Sequence, residues 1–229
     1  MNMSKISDTS YDVEKGKSKN NLLYTLIGLM FIIAILLVYN QFQISSIAKK
    51  ISSNSAQITG FTISDIIPTG VPPVYGSELG IRYDDVSPNN PRLADETIAK
   101  LGSFDNKITL SGEKLQRYIE IGLQISCEYC CGAAAIIFKD GSPACGCAHS
   151  YAMRGLAKYL LTYHPEMSNE QILEELGKWK VLFFPGIHEQ KAAVLKEKGI
   201  ELNYINLASN KYRGIERGTT SGGEMVGGC

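Results

Sequence analysis

Cys127, Cys130, Cys131, Cys145, Cys147 and His149 crowd into one stretch, CEYCCGAAAIIFKDGSPACGCAH, while the sixth cysteine, Cys229, is the last residue. As a spacing this is CxxCC, thirteen residues, then CxCxH. Thiolates with an imidazole suit Zn²⁺, Cu(I) and small Fe–S clusters. One tetrahedral ion needs four donors, so these six metal-ligand candidates leave an excess. That excess fits a multi-ligand cluster, ligand exchange during metal transfer, or a disulfide beside a metal. Two rival chemistries use the same residues: a purely structural disulfide staple and a dithiol redox pair.

The elements around the cluster must bring its two halves together. Cys127, Cys130 and Cys131 share a face if the preceding helix runs on, and form a tight knuckle if it stops. Ala133–Phe138 reads as a short apolar strand and Lys139-Asp140-Gly141-Ser142 as a turn, so a β-hairpin would return Cys145 and Cys147 to the first group. Along an extended segment, residues 145, 147 and 149 point the same way.

Two familiar patterns fail. A c-type haem site needs C-x-x-C-H, and Cys131 follows Cys130 here. PACGCAH is similar to the CDGSH-type Fe–S motif at Pro143, Cys145 and His149. That family's further cysteine positions hold Ala134 and Ile136, and its Asp-Gly is Gly146-Cys147, so no membership follows. Nor does a thioredoxin-like site fit, because Cys127 follows a predicted helix rather than starting one. With no Ser/His/Asp, paired-carboxylate or phosphate-loop pattern, the sequence leans away from an enzyme. Glu128, His164 and His188 read as solvated.

The N-terminal half suggests a membrane protein. Residues 1–21 read as a disordered cytoplasmic arm. Leu22–Tyr39 has no charge and no proline and is long enough, as a helix, for a single transmembrane span. Lys5, Lys15, Lys17 and Lys19 before it, against Lys49 and Lys50 after it, predict the N-terminus inside and the C-terminal domain outside the cytoplasmic membrane. Residues 40–58 read as a juxtamembrane amphipathic helix. Residues 59–91 form an extended Pro/Gly-rich segment whose apolar residues would pack on its own domain or on a neighbouring membrane protein. Besides the lipid bilayer, that neighbour is the only partner suggested. Lys+Arg and Asp+Glu balance at 23 each, which argues against a nucleic-acid surface.

Residues 92–210 are then a small, mainly α Cys/His-cluster domain, with α+β possible, followed by a flexible Gly-rich tail, 211–229. Helices are predicted over Arg92–Leu101, Gly112–Ser126 and Ser150–Tyr163, and a Ser168/Gln171 capping box opens another. For 179–207, a long helix through Trp179 competes with a βαβ unit, and the apolar register favours the helix. The sequence thus predicts a membrane-anchored, extracytoplasmic protein that binds a soft metal or small Fe–S cluster for holding, transfer or scaffolding. A membrane-tethered thiol–disulfide oxidoreductase and a disulfide-stapled interaction module are the alternatives.

Overall fold

The computed structural model describes residues 66–217 and 225–227, with scattered helical positions between Tyr24 and Leu36. The chain divides into two units, residues 1–60 and 61–229. In the first, the described positions are helical and their side chains exposed. No helix among the described residues is long and apolar enough to cross a membrane. The expected arm 1–21, much of the expected span 22–39 and the expected juxtamembrane helix 40–58 lie outside those residues.

The second unit is mainly helical, and no strand occurs among its described residues. Its helices are α1 (Gly76–Leu79), α2 (Pro91–Lys107), α3 (Gly112–Gly122), α4 (Ala148–Tyr163), α5 (Asn169–Phe183), α6 (Pro185–Glu197) and α7 (Tyr204–Ala208). Local signals explain their starts. The Asn90 side chain accepts from Leu93 N, with Pro91 in the first turn. Ser168 and Gln171 cap each other reciprocally at the head of α5.

Two predicted helix ends move. α2 runs past Gly102 to Lys107, because Gly102 and Gly155 are contact points between helices rather than stops. A Cβ on Gly155 would lie 2.0 Å from Leu101 O, and one on Gly102 would lie 3.2 Å from Tyr151 Cβ. α4 therefore crosses α2 backbone to backbone, the most extensive helix pairing of the unit. Gly155→Ala must push the two helices apart. It is expected to cost about 1–3 kcal/mol or somewhat more, read from the urea midpoint. In contrast, α3 stops at Gly122, short of the predicted Ser126. The chain turns away there, and Ile125 bridges to Ser209.

The ambiguous stretch is helical. α5 carries KVLF to Phe183, Pro185 opens α6, and residues 204–208 form α7, so there is no βαβ unit. Gly177 does not end α5; it lets the backbone of Tyr204 approach, since an added Cβ would sit 2.7 Å from Tyr204 O.

From Ile66 onward, the Pro/Gly-rich segment packs on its own domain. Trp179 Nε1 donates to Tyr75 OH at 2.7 Å, and Tyr75 and Tyr83 both donate to Glu175 Oε2, at 2.8 and 2.5 Å. These hydroxyls are buried, and each burial is matched by a hydrogen bond to a carboxylate held on α5. Burial and the adjacent Glu175 charge push both tyrosines above the usual phenol range. Ile66, Tyr75, Leu79, Ile81, Tyr83 and Val86 are thereby buried within the domain, while Val71 and Val74 stay exposed.

The expected mobile tail also has fixed points. Asn210–Tyr212 is a 3₁₀ turn, and Val226 is buried with its N–H bonded to Phe183 O. An apolar side chain in a Gly-rich stretch is enough to dock it where a groove exists.

Candidate metal centre

The two halves of the cysteine cluster meet. After α3, Cys127 is fully buried and Glu128 adopts a left-handed backbone (φ 59°). That conformation is rare outside glycine and must be held by its surroundings. Here the buried Glu128 carboxylate pairs with Lys180 Nζ at 3.2 Å, and Lys180 also donates to Ala208 O. Glu128 is thus an internal ion-pair partner and not the solvated carboxylate its sequence context suggests. Burial holds the Lys180 ammonium down at about 8, although Glu128 opposes the shift.

The following loop is pinned from the far end of the domain. Arg213 donates to Ala133 O and Gly132 O, each at 2.9 Å, and Asn210 Nδ2 donates to Leu123 O and Ala134 O.

The expected return is present, though as a turn rather than a paired ribbon. Phe138 N donates to Ser142 O, Gly141 N to Phe138 O, and Ile137 bridges to Pro143. Asp140 accepts from Ser142, which holds its carboxyl below the usual range. The strand expected over Ala133–Phe138 does not form, because its neighbours offer only isolated bonds: Ile136 N donates to Ile125 O, and Ala144 N donates to Ile136 O from the return. This turn carries Cys145 and Cys147 back. Arg154, wholly buried on α4, fastens it by donating to Cys145 O (2.8 Å) and Ile136 O (3.3 Å). Its Nε reaches Asp105 on α2 at 2.7 Å, and Lys158 reaches the other Asp105 oxygen at 2.8 Å.

The sulfurs then fall together. Cys147 Sγ is 3.4 Å from Cys127 Sγ and 3.4 Å from Cys145 Sγ. Cys131 is joined to Cys145 by a disulfide, and the sulfurs of Cys127, Cys131 and Cys147 lie within 4.8 Å of one another. A tetrahedral ion with metal–sulfur bonds of about 2.3 Å has edges of about 3.8 Å, so this spacing is that of a ligand set. The group can hold a metal ion. Cys130 is disulfide-bonded and stands outside it.

Cys147 is also the N-cap of α4, its sulfur receiving Ser150 N–H at 3.4 Å. The sequence showed no helix N-terminus at Cys127; the structure supplies one at Cys147 instead. Hydrogen bonds from Cys127, then from His149 and Ser150, pull Cys147 far below the usual thiol range, and Cys127 correspondingly moves up.

His149 does not join the sulfur group. It lies in the first turn of α4, buried between Phe183 and Phe184, with ring centroids 4.6 and 5.0 Å away. Its Nε2 is 2.8 Å from Val226 O, a group that only accepts, so Nε2 donates this bond. The ring's contact with Cys147 makes it a brace for that sulfur.

The other two histidines are not solvated either. His164 is largely buried and reaches Glu78 at 3.1 Å. His188 is fully buried, its Nδ1 against Phe184 O, and burial plus the Lys180 charge holds it well below its usual range. A histidine neutral in the fold but protonated when unfolded loses stability as pH falls through the unfolded value of about 6.5. Between pH 7 and 5, the loss from His188 is expected to be about 2 kcal/mol. Urea midpoints across that range should show it, with a shallower slope in His188→Leu.

Lys180, Arg154, Asn210 and Arg213 were missed by sequence reasoning. Lys180 and Arg154 each interrupt an otherwise apolar helix turn, WKVLFF and AMRGLA, and that interruption is a usable signal for a buried ion pair. Nothing local marks Asn210 or Arg213. Comparison of the chain with protein-family models, curated proteins and solved structures finds no match.

Proposed function

We propose that this protein binds a soft metal ion, Zn²⁺ or Cu(I), or a small Fe–S cluster, through the sulfurs of Cys127, Cys131, Cys145 and Cys147. The observation that carries this reading is the convergence of sulfurs from two chain segments onto one spot, those of Cys127, Cys145 and Cys147 buried and that of Cys131 at the surface. An all-sulfur donor set favours soft ions over Mg²⁺ or Ca²⁺. The hydrophobic run Leu22–Tyr39 and its flanking lysines support anchoring in the cytoplasmic membrane with the cysteine domain outside. Holding or handing on metal, or stiffening a scaffold, are the uses such a centre serves.

The test is metal analysis of anaerobically purified, fully reduced protein, with Zn²⁺ titrated against a chromophoric chelator. About one tight equivalent of metal, or Fe–S absorption in the visible range, is the expected result. Absence of both sinks the proposal.

One observation favours a second reading, a thiol–disulfide oxidoreductase: Cys147 sits at a helix N-terminus in contact with a disulfide sulfur. Insulin-reducing activity that disappears in Cys147→Ser, in protein that takes up no metal, would select it.

A further inference from the structure

We infer that the Cys131–Cys145 disulfide is a redox gate on metal binding, closed when oxidised and opened by a dithiol reductant; this rests on the metal-binding reading above. In the oxidised protein, the free cysteines among the described residues are Cys127 and Cys147. Two thiols cannot complete a tetrahedral sulfur site, and the two sulfurs that would complete it are bonded to each other.

The disulfide is also asymmetrically placed. Cys131 is exposed at the protein surface, whereas Cys145 is only 6% exposed and touches Cys147. An incoming dithiol therefore reaches Cys131 Sγ. Its thiolate forms a mixed disulfide there, the Cys131–Cys145 bond breaks, and Cys145 leaves with the electron pair into the cluster. The second thiol of the reductant then closes on its own mixed-disulfide sulfur. It departs as a cyclic disulfide and releases Cys131. Two electrons pass from reductant to protein, and the reductant's two protons go to the two freed sulfurs. A divalent ion entering next displaces thiol protons and bonds four sulfurs. Nothing large has to move, because Cys145 is already 3.4 Å from Cys147 and Cys131 already lies within the ligand spacing.

The test uses the full chain in detergent. Zn²⁺ affinity is measured by chelator competition on oxidised protein and on protein reduced with a phosphine and desalted anaerobically. Cd²⁺–thiolate absorption counts the bound sulfurs. The gate predicts that reduction raises Zn²⁺ affinity by at least about 10³-fold, half the usual four-ligand binding free energy, with the Cd²⁺ count rising from two sulfurs to four. A Cys131→Ala/Cys145→Ala variant should bind weakly and equally before and after reduction, even though the Cys130 disulfide is still reduced in it. Equal affinity of the two wild-type forms, or a gain that persists in the double variant, overturns the gate and leaves the metal site standing. If neither wild-type form binds, the metal reading itself fails.

Discussion

Cys147→Ser, assayed in fully reduced protein, is expected to weaken Zn²⁺ binding by roughly 10²–10³-fold, about a quarter of the free energy of a four-ligand site. Cys147 is the sulfur that touches two of the others, and it is the one oriented by a helix N-terminus. A serine hydroxyl still caps α4, so the helix survives and the loss reports the ligand alone. His149→Gln is the informative contrast. If His149 braces Cys147 through one hydrogen bond, its replacement should cost about 10–100-fold, the range for outer partners of a metal ligand. A loss as large as that of Cys147→Ser would return His149 to the ligand set that the sequence predicted. Cys130→Ser should change reduced-state affinity little, because Cys130 lies outside the sulfur group. Chelator competition measures all three.

Arg154→Met is expected to destabilise the domain by about 3–5 kcal/mol, because it strands a buried carboxylate. Asp105 is 2% exposed at its side chain and keeps only Lys158, itself partly solvated, when Arg154 is gone. The carbonyls of Cys145 and Ile136 lose their donor as well. Adding Asp105→Asn removes the stranded charge and should recover a measurable part of the loss, since the coupling between two charges in contact is not additive. Urea midpoints of the two single variants and the double variant close the cycle. Full additivity would show that Arg154 acts through packing alone. Because Arg154 also anchors the return of the cysteine turn, Arg154→Met should weaken metal binding too, whereas Gly155→Ala, one residue along on the face toward α2, should affect stability more than affinity.

Features set by neighbouring residues are legible in the sequence. Caps at Asn90 and Ser168, the helix over residues 148–163 and the turn at Asp140-Gly141 depend on side chains within four residues of one another, where spacing alone decides geometry. Features that one stretch imposes on another far away are not. Gly102 looks like a helix stop until a second helix is seen pressed against it, whereas the apolar register already carries the helix through Gly177. Glu128, His164 and His188 look solvated until Lys180, Glu78 and Phe184 are found beside them. Lys180 is 52 residues from Glu128 and Glu78 is 86 from His164, and periodicity carries no information about such pairs; Phe184 is only one turn from His188, whose burial is set by the elements packed on it.

For this protein, the amino-acid order by itself determined that the soft-ligand chemistry is concentrated in two short cysteine groups and that a turn can bring the second back toward the first. It also marked a mainly helical domain following a hydrophobic run. Only the tertiary structure decided which sulfurs meet. Arg154 and the loop at 209–213 draw the two groups together, the Cys131–Cys145 disulfide removes two donors from use, and the start of α4 sets Cys147 apart from Cys127. The reason is physical: a cysteine's role depends on what lies within about 4 Å of its sulfur and on whether a helix end faces it. In a folded chain, both are settled by residues that are distant in sequence.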